Sequence, residues 1–427
     1  MNLLLKSSIV NHQSSITITG SKSETNRLLL LQALYPTISL ENISNSDDSV
    51  IMQKALELIS QPETQNPKRI DVHHAGTAMR FLTAYFAVQD GKEVVLSGSS
   101  RMKERPIKIL VEALRQLGAE ISYEENEGFP PIRIKGKKLT KNKVSLDANV
   151  SSQYISALLL IAPKLENGIE LTLEGEITSI PYIKMTLSLL NEIGVDTSFV
   201  GNIISVGFKL PTPNSQLLTV ESDWSSASYF YSIVALSEIG TSITLSSYKK
   251  NSLQGDTVLA TIYQYFGVET VFNDNQSITI SKINIKNASP VRAKLSGQKS
   301  FLFNLQSSPD IAQTIAVTCF GLDLGCHLTG LHTLKIKETD RLQALKNELE
   351  KLGAKVSVTD NSLTLESSGI LHSNIKIQTY QDHRMAMAFA PLALKSTIII
   401  EEPEVVSKSY PTYWDDLKKI GFTIEEE

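Results

Sequence analysis

One pattern occurs five times in this chain: a helical run that closes on a hydrophobic residue, then glycine, then a strand-like segment. The glycines are Gly118, Gly194, Gly267, Gly353 and Gly421. Directly after a helix, glycine adopts the left-handed conformation more easily than any residue with a β-carbon. The spacing of roughly 70 to 90 residues is too loose for a solenoid but fits a duplicated helix–strand unit used several times. Such junctions also occur singly in ordinary α/β proteins, but five junctions with the same pattern favour a repeated structural unit.

Length and composition narrow the class of protein. The chain has 427 residues, too many for one ordinary core, and a hydrophobic content of 41%. Its net charge of −4 argues against a nucleic-acid partner, whereas small anions need only local cations. Cys319 and Cys326 lie in an apolar stretch without metal-ligand or disulfide spacing. No segment has the length of a membrane span, and no secretory signal is recognisable. We expect a cytoplasmic protein without metal or membrane partner.

The domain boundary is predicted between residues 217 and 223. This stretch follows the turn-forming Pro-Thr-Pro-Asn at 211–214 and precedes a helix-like run from Trp224 to Leu236. A second crossing is predicted at Gly20-Ser21, after a strand-like start. Two crossings make one domain discontinuous, so the prediction is an N-terminal domain of residues 21–220 and a C-terminal domain of residues 1–20 plus 221–427.

The segment Lys-Glu-Thr-Asp-Arg at 337–341 opens a long amphipathic run. On one helix, Lys337 and Arg341 would share a face near the N-terminus, where the helix dipole favours anions over cations. That placement predicts a bound anion between them, and Glu338 beside it suggests proton transfer. The alternative is an ordinary charged first turn capped by Asp340. The segment alone leaves both interpretations open.

Other segments also have the composition of anion-binding helix starts, with small residues, hydroxyls and cations. They are 20–27, 74–80, 101–106, 151–154 and 382–387. The first is not a Walker A loop, because that motif's first glycine is missing. Asp310, at the head of an apolar helix, is either an N-cap or a general base. Each segment has the alternative interpretation of a capped or solvated helix start.

Taken in order, these segments resemble the enolpyruvyl transferase family from Gly20 to Pro411. The shared motifs are Gly-Ser-Lys-Ser-x-x-x-Arg (20–27), Ala-Gly-Thr-Ala-Met-Arg (75–80), Arg-Met-Lys-Glu-Arg-Pro (101–106), Ser-Ser-Gln (151–153), Lys-Glu-Thr-Asp-Arg (337–341) and Asp-His-Arg-Met-Ala-Met (382–387). The resemblance implies a two-domain inside-out α/β barrel, with three repeated helix/strand units in each domain and the active site in the cleft between the domains.

The resemblance also implies the reaction. The enolpyruvyl group of phosphoenolpyruvate would pass to the 5-hydroxyl of shikimate 3-phosphate by addition and elimination of phosphate. This step belongs to the shikimate pathway of chorismate and aromatic amino acid biosynthesis. No cofactor is implied, the two substrates are the only partners, and the protein is expected to be a monomer.

Site residues follow motif by motif from the resemblance. Asp310, Glu338 and Lys22 would be catalytic, with Asp310 as the base and Glu338 as the proton carrier. The shikimate 3-phosphate site would comprise Lys22, Ser23, Arg27, Ser151, Ser152, Gln153, Ser179, Asp310 and Lys337. The phosphoenolpyruvate site would comprise Lys22, Gly76, Arg105, Gln153, Lys337, Arg341, Arg384 and Lys408.

Three positions depart from the family pattern. His74, Phe81 and Thr333 stand where Asn, Pro and Asn are common, which leaves glyphosate sensitivity open.

Two alternative functions are less compatible with the sequence. The sister enzyme that acts on UDP-N-acetylglucosamine uses a cysteine on a mobile loop, whereas both cysteines here lie in an apolar segment. A non-catalytic binder of phosphorylated metabolites would need neither Asp310 nor Glu338.

Overall fold

The computed structural model describes residues 1–7, 13–60, 67–148, 151–175, 177, 180–209, 215–284, 294–295 and 298–427. The chain divides into two compact units. The first unit is the continuous segment Gly20–Val220, and the second combines Met1–Thr19 with Glu221–Glu427. The chain therefore passes between the units twice, once on each side of the continuous segment.

The α-helices in the described residues are α1 Lys22–Leu34, α2 Asp47–Ser60, α3 Gly76–Ala87, α4 Ser100–Lys103, α5 Lys108–Gln116, α6 Ser152–Ile161, α7 Ile180–Glu192, α8 Trp224–Leu236, α9 Leu259–Ile262, α10 Ala312–Gly321, α11 Arg341–Lys351, α12 His383–Phe389 and α13 Tyr413–Lys419. Short 3-10 helices connect several of them.

The strands are β1 Asn2–Ser7, β2 Gln13–Ile16, β3 Ile38–Glu41, β4 Lys68–Asp71, β5 Glu93–Ser97, β6 Glu120–Tyr123, β7 Ile132–Lys135, β8 Lys143–Asp147, β9 Ile169–Glu174, β10 Thr197–Val200, β11 Ile203–Val206, β12 Gln216–Thr219, β13 Ser242–Leu245, β14 Val268–Phe272, β15 Ile278–Lys282, β16 Lys294–Leu295, β17 Gln298–Asn304, β18 Gly325–Thr329, β19 Lys355–Val358, β20 Ser362–Glu366, β21 Ile375–Ile377, β22 Ile398–Glu401 and β23 Phe422–Glu426.

A single sheet pattern is repeated in both units. In the order β4-β5-β7-β6, the first pair is parallel and the other two pairs are antiparallel. The orders β8-β9-β11-β10, β2-β13-β15-β14, β17-β18-β20-β19 and β21-β22-β1-β23 repeat this arrangement. A parallel pair needs a crossover helix, whereas an antiparallel pair can be closed by a short turn. The repeated unit is therefore strand, first helix, strand, second helix and two antiparallel strands. These two strands form a hairpin in four of the sheets, whereas in the fifth they are β1 and β23, from opposite ends of the chain.

The five predicted glycine junctions lie at the end of the helical segment in this unit. All five glycines have positive φ, from 76° at Gly267 to 105° at Gly421. Four of them follow α5, α7, α11 and α13, while Gly267 follows a 3-10 helix, Tyr263–Phe266. Each is followed within three residues by a strand. The predicted left-handed junctions are confirmed, with a 3-10 segment in place of one α-helix.

The first helices of the repeats form the buried core of each unit. Every residue of α8 is buried, and so is every residue of α3 except Thr77. Such helices are apolar around most of their circumference, which is expected for a helix surrounded by protein. Second helices are amphipathic, as in α5, where the buried residues are Leu110, Val111, Ala113 and Leu114. No helix within the described residues is long and apolar enough to cross a membrane.

Candidate active site

The starts of the first helices carry most of the predicted site residues. Helix starts expose backbone N–H groups and the positive end of the helix dipole, which together favour anions. In the continuous unit, Lys22, Gly76 and Ser152 are the first residues of α1, α3 and α6. In the discontinuous unit, a 3-10 turn containing Asp310 leads into α10, and Arg384 lies in the first turn of α12.

Arg27 is anchored inside the continuous unit by uncharged oxygen atoms. Its side chain is only 2% exposed. Nε donates to the Thr186 hydroxyl at 2.8 Å, and Nη2 donates to the Ser156 hydroxyl at 2.9 Å. Nη1 donates to the Ser23 carbonyl at 2.7 Å. Burial lowers the pKa of Arg27 to about 10, so the guanidinium stays charged at neutral pH. This is a cation held in a fixed orientation next to Ser23.

Two aromatic rings lie against the same guanidinium. The Phe81 ring centroid is 5.5 Å from Arg27 Cζ, and the Tyr182 centroid is 5.8 Å from it. Both distances are within the range of cation–π attraction. Phe81, which departs from the family pattern, is therefore a direct neighbour of Arg27. Lys22 lies on the same helix and forms an ion pair of 3.5 Å with Asp48.

The Arg105 side chain packs closely against Gly76 in this unit. A β-carbon at Gly76 would lie 2.6 Å from Arg105 Nη1 and 2.9 Å from Cζ. The absence of a side chain at Gly76 thus leaves the space in which the Arg105 guanidinium lies. Arg80, 4% exposed, donates to the carbonyl oxygens of Gly76 at 3.1 Å and Pro106 at 3.2 Å. It ties the start of α3 to the segment that carries Arg105.

The start of α6 presents hydroxyl and amide groups. Ser151 caps the helix by accepting from the Gln153 backbone N–H at 3.4 Å. The Gln153 side-chain amide donates to the Thr77 hydroxyl at 3.0 Å, which links α6 to α3. Ser152 is buried. Ser179, the remaining predicted residue of this unit, lies outside the described residues.

Arg341 is the centre of the charged cluster in the discontinuous unit. It is 2% exposed and forms ion pairs with three carboxylates. The distances are 2.6 Å to Asp382, 2.8 Å to Glu338 and 2.9 Å to Asp310. Burial alone would lower the pKa of Arg341, but these carboxylates outweigh it and raise the pKa overall. Arg341 thus brings both predicted proton-transfer residues, Asp310 and Glu338, to one guanidinium.

The prediction that Lys337 and Arg341 share a helix face is wrong. Helix α11 begins at Arg341, and Asp340 caps it by accepting from the Gln343 backbone N–H at 3.1 Å. Lys337 lies before the cap, directly after the 3-10 helix His332–Ile336. The Asp340 cap is therefore confirmed, and Lys337 reaches the cluster from a non-helical segment. Its Nζ is 3.5 Å from Asp310 Oδ1.

Arg384 contacts the second carboxylate oxygen of Asp310, Oδ2, whereas Lys337 and Arg341 contact Oδ1. Its Nη2 is 3.3 Å from Asp310 Oδ2, and its Nη1 donates to the Asp310 carbonyl at 3.2 Å. Burial opposes the charge of Arg384, yet Asp310, Tyr229 and nearby acids raise its pKa well above the ordinary value. The Asp310 carboxylate is therefore in contact with three cations, Lys337, Arg341 and Arg384.

Lys408 lies beside the segment that leads into α12. Its Nζ donates to the Gln381 carbonyl at 2.9 Å. Tyr380 and Gln381 both have positive φ, 54° and 56°, a conformation that costs non-glycine residues about 1 kcal/mol or more each. This turn precedes Asp382, which caps α12 and pairs with Arg341. The strained backbone thus places the one fully buried carboxylate of the cluster.

Sequence reasoning missed four residues around these cations. Asp382 was part of a recognised motif, but only Arg384 in that motif was given a role. Asp48, the partner of Lys22, stands near the start of α2 without a distinguishing motif. Ser225 contacts both Asp256 and Arg384, although the three residues lie far apart in the sequence. A helix-start pattern could have indicated Asp382, whereas nothing local indicates Asp256.

Neither cysteine has the environment of a reactive thiol. Cys319 and Cys326 are free and completely buried. Burial raises the pKa of Cys319 well above the ordinary value, which disfavours the nucleophilic thiolate. Within the described residues there is also no group of three His, Cys, Asp or Glu side chains able to hold a metal.

The repeated fold and the cations of both units indicate an enzyme class. Buried arginines beside two candidate proton-transfer acids suit a transfer between anionic substrates, and the repeated strand–helix unit is the one expected of enolpyruvyl transferases.

Comparison with known proteins supports this class and narrows it. The sequence profile of EPSP synthase (3-phosphoshikimate 1-carboxyvinyltransferase) matches residues 7–417. A 3-phosphoshikimate 1-carboxyvinyltransferase of Bacteroides fragilis is 45% identical over 419 residues, which cover 97% of this chain and 96% of the relative. The 3-phosphoshikimate 1-carboxyvinyltransferase of Vibrio campbellii is 35% identical over 433 residues, which cover 96% of this chain and 97% of the relative. A solved structure of EPSP synthase from Acinetobacter baumannii has the same fold, with a TM-score of 0.79 over both full chains at 20% identity.

The chain belongs to the EPSP synthase family. It is a transferase that moves the enolpyruvyl group of phosphoenolpyruvate to shikimate 3-phosphate, in the biosynthesis of aromatic amino acids. The sequence predictions of family, fold class and activity are therefore confirmed.

Proposed function

We propose that the cations of both units bind the two substrates and that Asp310 and Glu338 move the protons. The observation that carries this proposal is the Arg341 guanidinium, which contacts both acids at 2.9 and 2.8 Å. Two acids held by one cation can act on neighbouring atoms of a substrate complex. The neighbouring Lys337 and Arg384 supply further positive charge for phosphate and carboxylate groups.

Asp310 is the proposed base. Its carboxylate takes the proton of the shikimate 5-hydroxyl while the hydroxyl oxygen forms a bond to C2 of phosphoenolpyruvate. Three cations around Asp310 keep the carboxylate oriented and stabilise the charge that develops on the substrates. The carbon C3 receives a proton in the same step, which gives a tetrahedral intermediate.

Glu338 is the proposed proton carrier for C3. Its side chain is 33% exposed, so it can exchange protons more readily than the buried Asp382. Glu338 gives a proton to C3 during addition and takes one back from C3 when the phosphate leaves. The C2–O bond to phosphate breaks and the C2–C3 double bond forms again. The leaving phosphate takes up the proton that Asp310 accepted, which restores the Asp310 carboxylate.

The remaining residues are proposed to bind substrate. Shikimate 3-phosphate contacts Lys22, Ser23, Arg27, Ser151, Ser152, Gln153, Ser179, Asp310 and Lys337. Phosphoenolpyruvate contacts Lys22, Gly76, Arg105, Gln153, Lys337, Arg341, Arg384 and Lys408. The rigid anchoring of Arg27 and the space that Gly76 leaves for Arg105 support these assignments in the continuous unit. Lys22, at a helix start, would stabilise developing negative charge.

The test is phosphate release from phosphoenolpyruvate by the wild type and by Asp310→Asn. We expect release with shikimate 3-phosphate, none with UDP-N-acetylglucosamine, and a large loss of turnover in the variant. Asp360→Asn is the matched control, because Asp360 belongs to the same unit but its side chain is 92% exposed. Equal turnover in Asp310→Asn and in the control would refute the assignment of the base.

We also propose that the protein acts as a cytoplasmic monomer. The two buried free thiols are compatible with a reducing compartment. Light scattering on the purified protein is expected to give a mass near 47.1 kDa. A mass about twice as large would contradict the monomer.

A further inference from the structure

Ser225 forms a bridge between Arg384 and a buried acid. Arg384 Nη2 donates to the Ser225 hydroxyl oxygen at 3.3 Å. The same hydroxyl donates its proton to Asp256 Oδ2. Ser225 lies in the first turn of α8, and Asp256 lies in the 3-10 helix Gly255–Val258. Ser225 and Asp256 are 8% and 9% exposed.

The direction of these hydrogen bonds determines how Ser225 interacts with Arg384. A serine hydroxyl has one proton and two lone pairs. Because the proton is used on Asp256, only lone pairs face Arg384, and the guanidinium always finds an acceptor. Without Asp256, the hydroxyl could rotate and turn its proton towards the cation. The acid therefore determines the orientation of the hydroxyl, and the hydroxyl helps to orient Arg384.

The segment that carries Asp256 is itself anchored on two sides. The Gln254 side chain accepts from the Trp224 backbone N–H at 3.0 Å and donates to the Ser222 carbonyl at 2.9 Å. The Gly255 carbonyl accepts from the Ser308 hydroxyl at 2.8 Å. These bonds connect residues 254–256 to the start of α8 and to the segment that leads into Asp310. These bonds thus tie Asp256 to the segments that carry Ser225 and Asp310, both of which contact Arg384.

We propose that Ser225 and Asp256 are positioning residues that hold Arg384 in the orientation that binds phosphoenolpyruvate. This inference rests on the proposed role of Arg384 as a phosphoenolpyruvate ligand. Asp310 Oδ2 and the Ser225 hydroxyl both contact Nη2 of Arg384, each at 3.3 Å. If Ser225 is lost, the guanidinium can turn further towards the Asp310 carboxylate, which weakens its contact with the substrate.

The experiment compares Michaelis constants for the two substrates. Ser225→Ala is expected to raise KM for phosphoenolpyruvate about tenfold, the effect of losing one hydrogen bond to a charged group. KM for shikimate 3-phosphate should change less than about twofold. Asp256→Ala should have the same effect, and Asp256→Asn should restore most of the affinity, because its carbonyl oxygen can still accept from Ser225. A purely structural role would not distinguish the two substrates.

Ser232→Ala is the matched control. It removes another buried hydroxyl of α8, which accepts from Thr318 at 2.8 Å. Both KM values of this variant should stay within about twofold of the wild type. If Ser225→Ala folds poorly, Asp256→Ala and Asp256→Asn carry the comparison, since both leave the hydroxyl in place.

Arg384→Lys separates this inference from the proposal on which it rests. If Arg384→Lys raises KM for phosphoenolpyruvate while the Ser225 and Asp256 variants leave it unchanged, the positioning role is refuted and the ligand role of Arg384 stands. If Arg384→Lys leaves KM for phosphoenolpyruvate unchanged, both are refuted. An equal rise in both Michaelis constants for Ser225→Ala also contradicts the positioning role.

Discussion

The contact between Gly76 and Arg105 predicts the effect of a single added methyl group. In Gly76→Ala, the new β-carbon would lie 2.6 Å from Arg105 Nη1 and 2.8 Å from Nη2. Ordinary contacts of a β-carbon begin at 3.4 Å. The guanidinium must therefore move by about 1 Å, a displacement that can cost about 100-fold in a well-oriented site.

The backbone should tolerate the change, so the effect should be confined to the site. Gly76 is the first residue of α3 and does not have positive φ. In a helix, alanine is favoured over glycine by about 1 kcal/mol. We therefore expect unchanged or slightly higher stability together with a fall of about 10- to 100-fold in kcat/KM for phosphoenolpyruvate. Converted to free energy, that fall is about 1.4 to 2.7 kcal/mol.

The assay is steady-state phosphate release with each substrate varied in turn. KM for phosphoenolpyruvate should rise, whereas KM for shikimate 3-phosphate should stay within about twofold. Gly207→Ala is the control in the same unit, because its β-carbon would be 3.5 Å from the nearest atom, an ordinary contact. An unchanged KM for phosphoenolpyruvate in Gly76→Ala, or the same rise in Gly207→Ala, would refute the reasoning.

Three further predictions concern the charged cluster. Asp310→Asn and Glu338→Gln should each lower kcat by about 10²- to 10⁴-fold, while calorimetry should still detect binding of both substrates; near-normal turnover would contradict the proton-transfer roles. Arg341→Ala should lower the free energy of unfolding by about 3 to 5 kcal/mol, because Asp382, 0% exposed, would lose its cation; a urea midpoint close to that of the wild type would disprove this. Burial and the nearby Asp310 raise the pKa of Asp256 to about 6 from 3.8, so its contribution to stability is fully present below pH 3.8 and is lost as the pH rises through 6. Relative to the wild type, Asp256→Asn should therefore gain about 2.4 kcal/mol of stability between pH 4 and pH 7.5 in urea unfolding, and a constant difference would show that the acid ionises normally.

Local features of the fold could be predicted because neighbours in the chain determine them. The left-handed glycines depend on the helix that precedes each of them, so the pattern alone identified all five. The helix predicted from Trp224 to Leu236 is α8 with the same bounds. Asp340 was one of two interpretations of its segment, and it caps α11 because its side chain reaches a backbone N–H only three residues away. These interactions need no information about distant residues.

Lys337 shows where this local reasoning failed. A spacing of four residues places two side chains on one face only if both lie within the same helix. Here α11 starts at Arg341, and Lys337 belongs to the preceding non-helical segment. The two cations nevertheless meet at the same carboxylate, Asp310, because the tertiary structure brings the three segments together.

For this protein, the sequence by itself determined the family, the repeated unit and the residues that start its helices. It did so because capping, glycine junctions and ordered motifs are short-range properties. Only the tertiary structure decided which charges are paired. Arg341 meets Asp382 across 41 residues, and Arg384 meets Ser225 across 159. Such pairings depend on how the buried first helices pack, since burial removes water and makes each unpaired charge costly. The role of Asp256 follows from that packing and has no counterpart in its local sequence.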